Sequence, residues 1–177
     1  MSSANYLYGP AVFSKRTFRQ IARDTKVVLK VLEKMGLELA GPDGTGKPVI
    51  SDEIIAFNGC RKCTNARPVA FAESECNGKN CSAEAFVLKR VLSGREKELS
   101  YTGRVFYREN PRVAHKYFRS CRTEYRPYDF AVKSVLVIVK HYMGDKVVVS
   151  SNADMKTWER VILFVHLVLN WNGGGTP

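Results

Sequence analysis

The chain has 177 residues and a formal net charge of +11, with 45% hydrophobic and 25% charged residues. This length and balance are typical of one globular domain, and they exclude a disordered chain. The positive charge favours anionic partners such as nucleic acid or acidic protein surfaces, although charge that only keeps the protein soluble is the plainer alternative.

The first predicted element is a helix over residues 15–36. Ser14 is a candidate N-cap, apolar residues recur at helical spacing, and Gly36 ends the helix. The segment "GPDGTGKP" at 41–48 then contains a G-x4-G-K string similar to a P-loop. Pro48 stands where the magnesium-binding Ser or Thr should be, so we interpret the segment as a turn between strands.

The rest of the chain alternates strands, loops and helices. Strands are predicted at 49–59, 83–92, 104–110 and 145–151, and a polar loop or hairpin is predicted at 94–103. Pro127 opens a helix over 128–144, and the last helix covers 152–171 with Asn152 or Asp154 as its cap.

This order predicts a single domain over 1–177 of the α+β class. We expect three helices packed on a small mixed or antiparallel sheet, with an inserted cysteine-rich loop at 59–82 and a flexible tail at 172–177. The most apolar stretch, 161–171, is too short to cross a bilayer, and the start does not have the pattern of a signal peptide. We therefore expect an intracellular protein, in the cytoplasm or nucleus and not secreted, with no membrane partner.

Four of the five cysteines follow a pattern that is typical of a structural zinc site. Cys60 and Cys63 form a C-x2-C pair, and Cys76 and Cys81 form a C-x4-C pair, with twelve residues between the two pairs. Two closely spaced thiolate pairs can complete a tetrahedral zinc site that stabilises a loop and leaves no position open for catalysis. The sequence therefore predicts a zinc ion with a structural role.

Other roles for these cysteines stay open. A redox C-x-x-C is disfavoured because Pro68 follows closely and no apolar helical pattern begins after Cys63. Reduced cysteines or a disulfide are the remaining alternatives. Cys121 stands apart from the four and is interpreted as a buried, inert thiol.

The segment from Arg104 to Arg126 is basic and aromatic. Cations that neutralise phosphates, next to rings that stack on bases, are typical of nucleic-acid surfaces. The same pattern arises when the rings form core and the cations are only solvated. The predicted residues for binding nucleic acid or a protein partner are Arg104, Arg108, Arg112, Lys116, Tyr117, Arg119, Arg122 and Arg126.

Four motifs resemble those of a family of uncharacterised proteins from bacteria and large DNA viruses. They are "FNG" (57–59), "EAFVL" (84–88), "CRTEYRPYD" (121–129) and "KHYMGDKVVVSS" (140–151). In that family a Cys-Lys-Thr segment precedes Lys-Pro-Tyr-Asp, and Ser-Ser-Asp-Gly precedes a helix with a Trp. This chain has Arg122 in place of the lysine and "SSNADMKTW" in place of Ser-Ser-Asp-Gly. The resemblance implies no established activity, and it raises the expectation of a viral protein and virion component.

Two functional hypotheses follow. The first is a non-enzymatic basic module, stabilised by zinc, that contacts nucleic acid or acidic neighbouring subunits, for example as a minor capsid component. The second is a small enzyme that acts on a phosphate- or carboxylate-bearing substrate through the segment from Arg122 to Asp129. His141 lies about 18 Å from Asp129 if their helix is continuous, which weakens the second hypothesis.

Overall fold

The computed structural model describes residues 3–64, 79–102 and 111–171. Over these residues the protein has a mixed α+β fold, as predicted. Its described helices are α1 (Lys15–Lys34), α2 (Gly94–Ser100), α3 (Asp129–Met143) and α4 (Met155–Val168). Its described strands are β1 (Ala4–Gly9), β2 (Leu39–Ala40), β3 (Val49–Ile50), β4 (Ile54–Gly59), β5 (Phe86–Lys89), β6 (Tyr117–Arg122) and β7 (Val148–Ser151).

The strands form two antiparallel sheets. In the first, β1 is central and pairs with β6 on one side and β7 on the other. In the second, β4 pairs with β2, β3 and β5. The central position of β1 was not predicted, because its partners come from the second half of the chain.

Helix α3 forms the centre of the hydrophobic core. Every residue from Phe130 to Leu136 is buried, so the helix is covered around its whole circumference. It packs against α1, α4 and the sheet that contains β1 and β7. This central helix therefore fixes the positions of the residues at its N-terminus, where Asp129 lies.

The three predicted helices are confirmed as α1, α3 and α4. The Ser14 side chain accepts a hydrogen bond from the Thr17 amide at the start of α1, and Gly36 follows its end with φ +100°. Gly144 follows the end of α3. Asp154, and not Asn152, provides the cap of α4 by accepting a hydrogen bond from the Thr157 amide.

Several predicted boundaries are corrected. The strand predicted over 49–59 is a hairpin of β3 and β4, because the Ser51 side chain accepts from the amides of Glu53 and Ile54 in the turn. The segment predicted as a polar loop or hairpin contains α2, which begins with a capping box formed by Ser93 and Glu96. The turn at 41–48 is confirmed, since it lies between β2 and β3.

Parts of the predicted organisation lie outside the described residues. The cysteine-rich loop at 59–82 is described only at its two ends. The whole strand predicted at 104–110 and the tail at 172–177 lie outside the described residues. None of the helices in the described ranges is long and apolar enough to cross a membrane.

Candidate functional site

The two described ends of the cysteine-rich loop are joined by backbone hydrogen bonds. The Cys81 amide donates to the Cys60 carbonyl at 2.8 Å, and the Cys63 amide donates to the Lys79 carbonyl at 3.0 Å. These bonds bring the backbones of three of the four predicted zinc ligands, Cys60, Cys63 and Cys81, into one small region.

A glycine is required where the two ends meet. A Cβ atom at Gly59 would lie 2.0 Å from the Cys81 carbonyl oxygen and 3.0 Å from the ring of Tyr128. The neighbouring Asn58 is buried, and its amide group donates to the carbonyls of Pro42 and Ala83. The base of the cysteine-rich loop is therefore closely packed and anchored by side-chain hydrogen bonds.

The described residues do not complete a metal site. Within 3–64, 79–102 and 111–171, no three His, Cys, Asp or Glu side chains lie close enough together to hold a metal ion. Cys76, the fourth predicted zinc ligand, is outside the described residues. The zinc site therefore stays a prediction.

The structure divides the predicted partner-binding residues into three groups. Arg104 and Arg108 lie outside the described residues. Arg112 and Arg122 are exposed. The half-buried residues are Lys116, Tyr117, Arg119 and Arg126.

Two of these cations bind backbone carbonyls of the protein itself. Arg119 donates to the carbonyl of Pro10 at 2.8 Å and lies over the ring of Phe13, with 5.6 Å to its centroid. Burial lowers the pKa of the Arg119 guanidinium to about 10. Lys116 donates to the carbonyl of Arg112 at 2.7 Å. Arg119 and Lys116 therefore have structural contacts that compete with binding to a partner.

Asp129, from the enzyme hypothesis, accepts hydrogen bonds from four protein side chains. One carboxylate oxygen accepts from Asn5 at 2.8 Å, from Ser3 at 3.2 Å and from the Thr123 hydroxyl. The other oxygen accepts from the Lys133 ammonium, one helical turn further along α3. The Lys133 side chain is 1% exposed and that of Asp129 is 16% exposed. This network joins the start of β1 to α3, and it leaves the carboxylate little capacity for a substrate.

The other members of that segment have separate environments. Arg122 is exposed, and its backbone amide donates to the Glu84 carboxylate at 2.7 Å. The Tyr128 hydroxyl and the Cys121 thiol both donate to the Glu84 carbonyl. Burial raises the pKa of the Cys121 thiol to about 12, so it stays protonated at neutral pH. Two of the four motifs that carry the family resemblance, 84–88 and 121–129, therefore meet at Glu84 through structural hydrogen bonds.

His141 lies far from Asp129, as the continuous helix requires. It lines a cavity of about 270 Å³ together with His166, Lys140 and Trp158. Trp171 stacks on the His141 ring at 3.7 Å between centroids. Burial and the neighbouring His166 lower the pKa of His141. Both histidines are exposed, and they lie on α3 and α4, separate from the Arg122–Asp129 segment.

The structure also shows a cationic surface that the sequence analysis missed. We call it the basic face of α1, and its seven members are Lys15, Arg16, Arg19, Arg23, Lys26, Lys30 and Lys34. All seven are exposed. At about 100° per residue they fall within an arc of roughly 100°, and at 1.5 Å per residue they extend over about 28 Å. From Arg16 onward these cations recur every three or four residues, a spacing that is readable in the sequence.

Two members of the basic face contact acidic side chains. Arg19 lies 3.3 Å from the exposed Asp52 carboxylate, and Arg23 lies 3.2 Å from that of Asp24. The Arg19–Asp52 pair is exposed on both sides, and such pairs stabilise a protein by only about 0–1 kcal/mol, so Arg19 can exchange partners at little cost. The Asp24 carboxylate is buried, so the Arg23–Asp24 pair belongs to the fold.

Comparisons with protein-family models, curated proteins and solved structures found no match to this chain. The functional argument therefore depends on the residues and geometry described above.

Proposed function

We propose that the protein is a non-enzymatic basic module that binds the phosphates of nucleic acid through the basic face of α1. The observation that carries this proposal is the alignment of seven exposed cations on one side of a single helix. Cations spread over about 28 Å on one side of a helix can contact several phosphates at once.

The release of condensed counterions gives such a surface its affinity. Each phosphate that a Lys or Arg neutralises frees about 0.9 counterion from duplex DNA, so binding weakens steeply as salt increases. Arg112 and Arg122 are further exposed cations of the described residues.

The alternative partner is an acidic protein surface inside an assembly such as a virion, which the same cations would serve. The enzyme hypothesis has less support because the Asp129 carboxylate accepts hydrogen bonds from Ser3, Asn5, Thr123 and Lys133. These two alternatives make different demands: an assembly subunit need not bind isolated nucleic acid, and an enzyme needs a site that holds a substrate.

Zinc is proposed as the structural cofactor of the cysteine-rich loop, held by Cys60, Cys63, Cys76 and Cys81. The backbone hydrogen bond between Cys60 and Cys81 supports this proposal, because it brings one residue of each pair together at the base of the loop. The measurement is the metal content of the purified chain by mass spectrometry, where about one zinc per chain is expected for four thiolate ligands. A Cys60→Ser variant is expected to lose the metal, and a wild-type protein without zinc would contradict this part of the proposal.

The test of nucleic-acid binding is a fluorescence titration of mixed-sequence duplex DNA at several salt concentrations. We would compare wild type with Lys26→Glu/Lys30→Glu, on the basic face, and with Lys47→Glu/Lys156→Glu, two exposed lysines outside α1. Both double variants change the net charge by the same amount. If Lys26→Glu/Lys30→Glu removes two phosphate contacts, its affinity at 0.1 M salt should be roughly 60-fold lower than that of wild type. Its affinity should also depend less steeply on salt concentration.

The control variant is expected to lose much less affinity than the variant on the basic face. Equal losses in the two variants would mean that net charge alone attracts the DNA. If wild type binds no nucleic acid at low salt, the proposed function is overturned and the acidic protein partner becomes the better hypothesis.

A further inference from the structure

The sheet of β6, β1 and β7 has two chemically different faces. Asn5, Leu7 and Cys121 are buried on the inner face, which packs against α3. Because side chains alternate along a strand, their sequence neighbours lie on the outer face. The register places Tyr8 directly opposite Phe118 there, and Tyr6 opposite Ser120.

Three aromatic rings form a continuous group on the outer face. The Phe118 ring lies 5.7 Å from that of Tyr6 and 5.1 Å from that of Tyr8, between centroids. All three side chains are half-buried, although they point away from the core side of the sheet. We call Tyr6, Tyr8 and Phe118 the aromatic platform.

The surroundings of the aromatic platform carry positive charge and hydroxyl groups. Arg122 and Ser120 are exposed on β6, and Ser150 is exposed on β7 opposite Tyr6. None of the outer-facing residues on these three strands is acidic. A cation and hydroxyl groups beside flat rings match the phosphates, base edges and base faces of a nucleic acid.

We propose that the aromatic platform stacks on the unpaired bases of single-stranded nucleic acid. This inference rests on the proposed function, and it names the form of nucleic acid that the protein prefers. Bases inside a duplex stack on each other and cannot offer their faces to side chains, whereas a single strand can lay its bases on a sheet surface. The basic face of α1 binds phosphates of any strand, and the aromatic platform selects strands with unpaired bases.

Packing between the strands is a competing role for the same rings, because cross-strand aromatic pairs also stabilise sheets. The two roles respond differently to substitution. Stacking on a base requires a ring, and a phenol and a phenyl ring serve it about equally. Tyr6→Phe and Phe118→Tyr therefore serve as matched controls for Tyr6→Leu and Phe118→Leu.

The experiment measures the affinity of each variant for a mixed-sequence single strand and for the corresponding duplex, each of about 15 nucleotides. Wild type is expected to prefer the single strand. Each Leu variant is expected to bind the single strand roughly five- to 150-fold more weakly, while its affinity for the duplex stays the same. The ring-conserving variants are expected to bind like wild type.

Equal affinities of the Leu variants and wild type for the single strand would overturn the inference. Equal affinities of wild type for single strand and duplex would also overturn it. If a Leu variant is unfolded by circular dichroism, photo-crosslinking of wild type to a strand containing 4-thiouridine replaces it. Crosslinks at Tyr6, Tyr8 or Phe118 support the platform, and crosslinks confined to α1 overturn it.

The same titrations separate this inference from the proposed function. If Lys26→Glu/Lys30→Glu weakens binding and the Leu variants do not, the basic face is supported and the platform is rejected. If wild type binds neither strand nor duplex, both proposals fail together.

Discussion

Replacement of Lys133 by Met tests whether the buried ion pair with Asp129 stabilises the fold. The Lys133 ammonium is 1% exposed, and Met preserves most of its length. Without it, the donors to the Asp129 carboxylate among the described residues are the three neutral side chains of Ser3, Asn5 and Thr123. Removal of one partner from a buried pair costs about 3–5 kcal/mol. Since the Asp129 side chain is 16% exposed and keeps some contact with solvent, we expect Lys133→Met to lower the free energy of unfolding by about 3 kcal/mol.

The assay is urea unfolding followed by circular dichroism. The slope of the free energy of unfolding against urea concentration is compared between variants. Lys30→Met, an exposed lysine in the interior of α1, is the control and is expected to change the free energy of unfolding by less than about 0.5 kcal/mol. The double variant Asp129→Asn/Lys133→Met completes a cycle in which we expect a coupling energy of about 1–3 kcal/mol. A cost below about 1 kcal/mol for Lys133→Met, at an unchanged slope, would refute the reasoning.

Two further predictions concern other parts of the fold. Gly59→Ala is expected to lower the free energy of unfolding by about 1–3 kcal/mol, because its Cβ would lie 2.0 Å from the Cys81 carbonyl oxygen. Gly94→Ala is the control for urea unfolding, since a Cβ there meets no atom within 4 Å, and equal losses would contradict the packing argument. Burial and His166 lower the pKa of His141 in the folded protein below that of an unfolded chain. As the pH decreases through about 6.5, His141 is therefore protonated in unfolded chains before it is protonated in folded ones, and the free energy of unfolding should fall. His166→Gln should raise the pKa of His141 in an NMR titration, and an unchanged value would show that His166 does not act on it.

The parts of the fold that depend on local signals were predictable. α1 has a capping serine, a helical apolar period and a terminal glycine, and its bounds agree with prediction within two residues. α2 carried one clear signal, the pair of Ser93 and Glu96, but it has no buried residue and therefore no apolar period. A short helix of this kind is easily mistaken for a polar loop.

The parts that depend on distant pairing were not predictable. β1 alternates Asn5 and Leu7 on its inner side with Tyr6 and Tyr8 on its outer side, so no contrast between polar and apolar residues marks it. The interpretation of Arg119 as a partner-binding cation could not anticipate that it would lie over Phe13, far from it in sequence. The Asp129 network likewise depends on Asn5, which only the tertiary fold brings near.

The central position of β1 has a consequence for the synthesis of the protein. Tyr8 pairs with Phe118 and with Val148, more than a hundred residues further along the chain. At about 5–20 residues per second, the first strand waits roughly 6–28 s on the ribosome before its neighbours have been made. During that interval two tyrosines and the unpaired backbone of β1 are exposed to other nascent chains. Chaperone binding near the N-terminus would protect the protein at this stage, and slow translation of its second half would prolong the risk of aggregation.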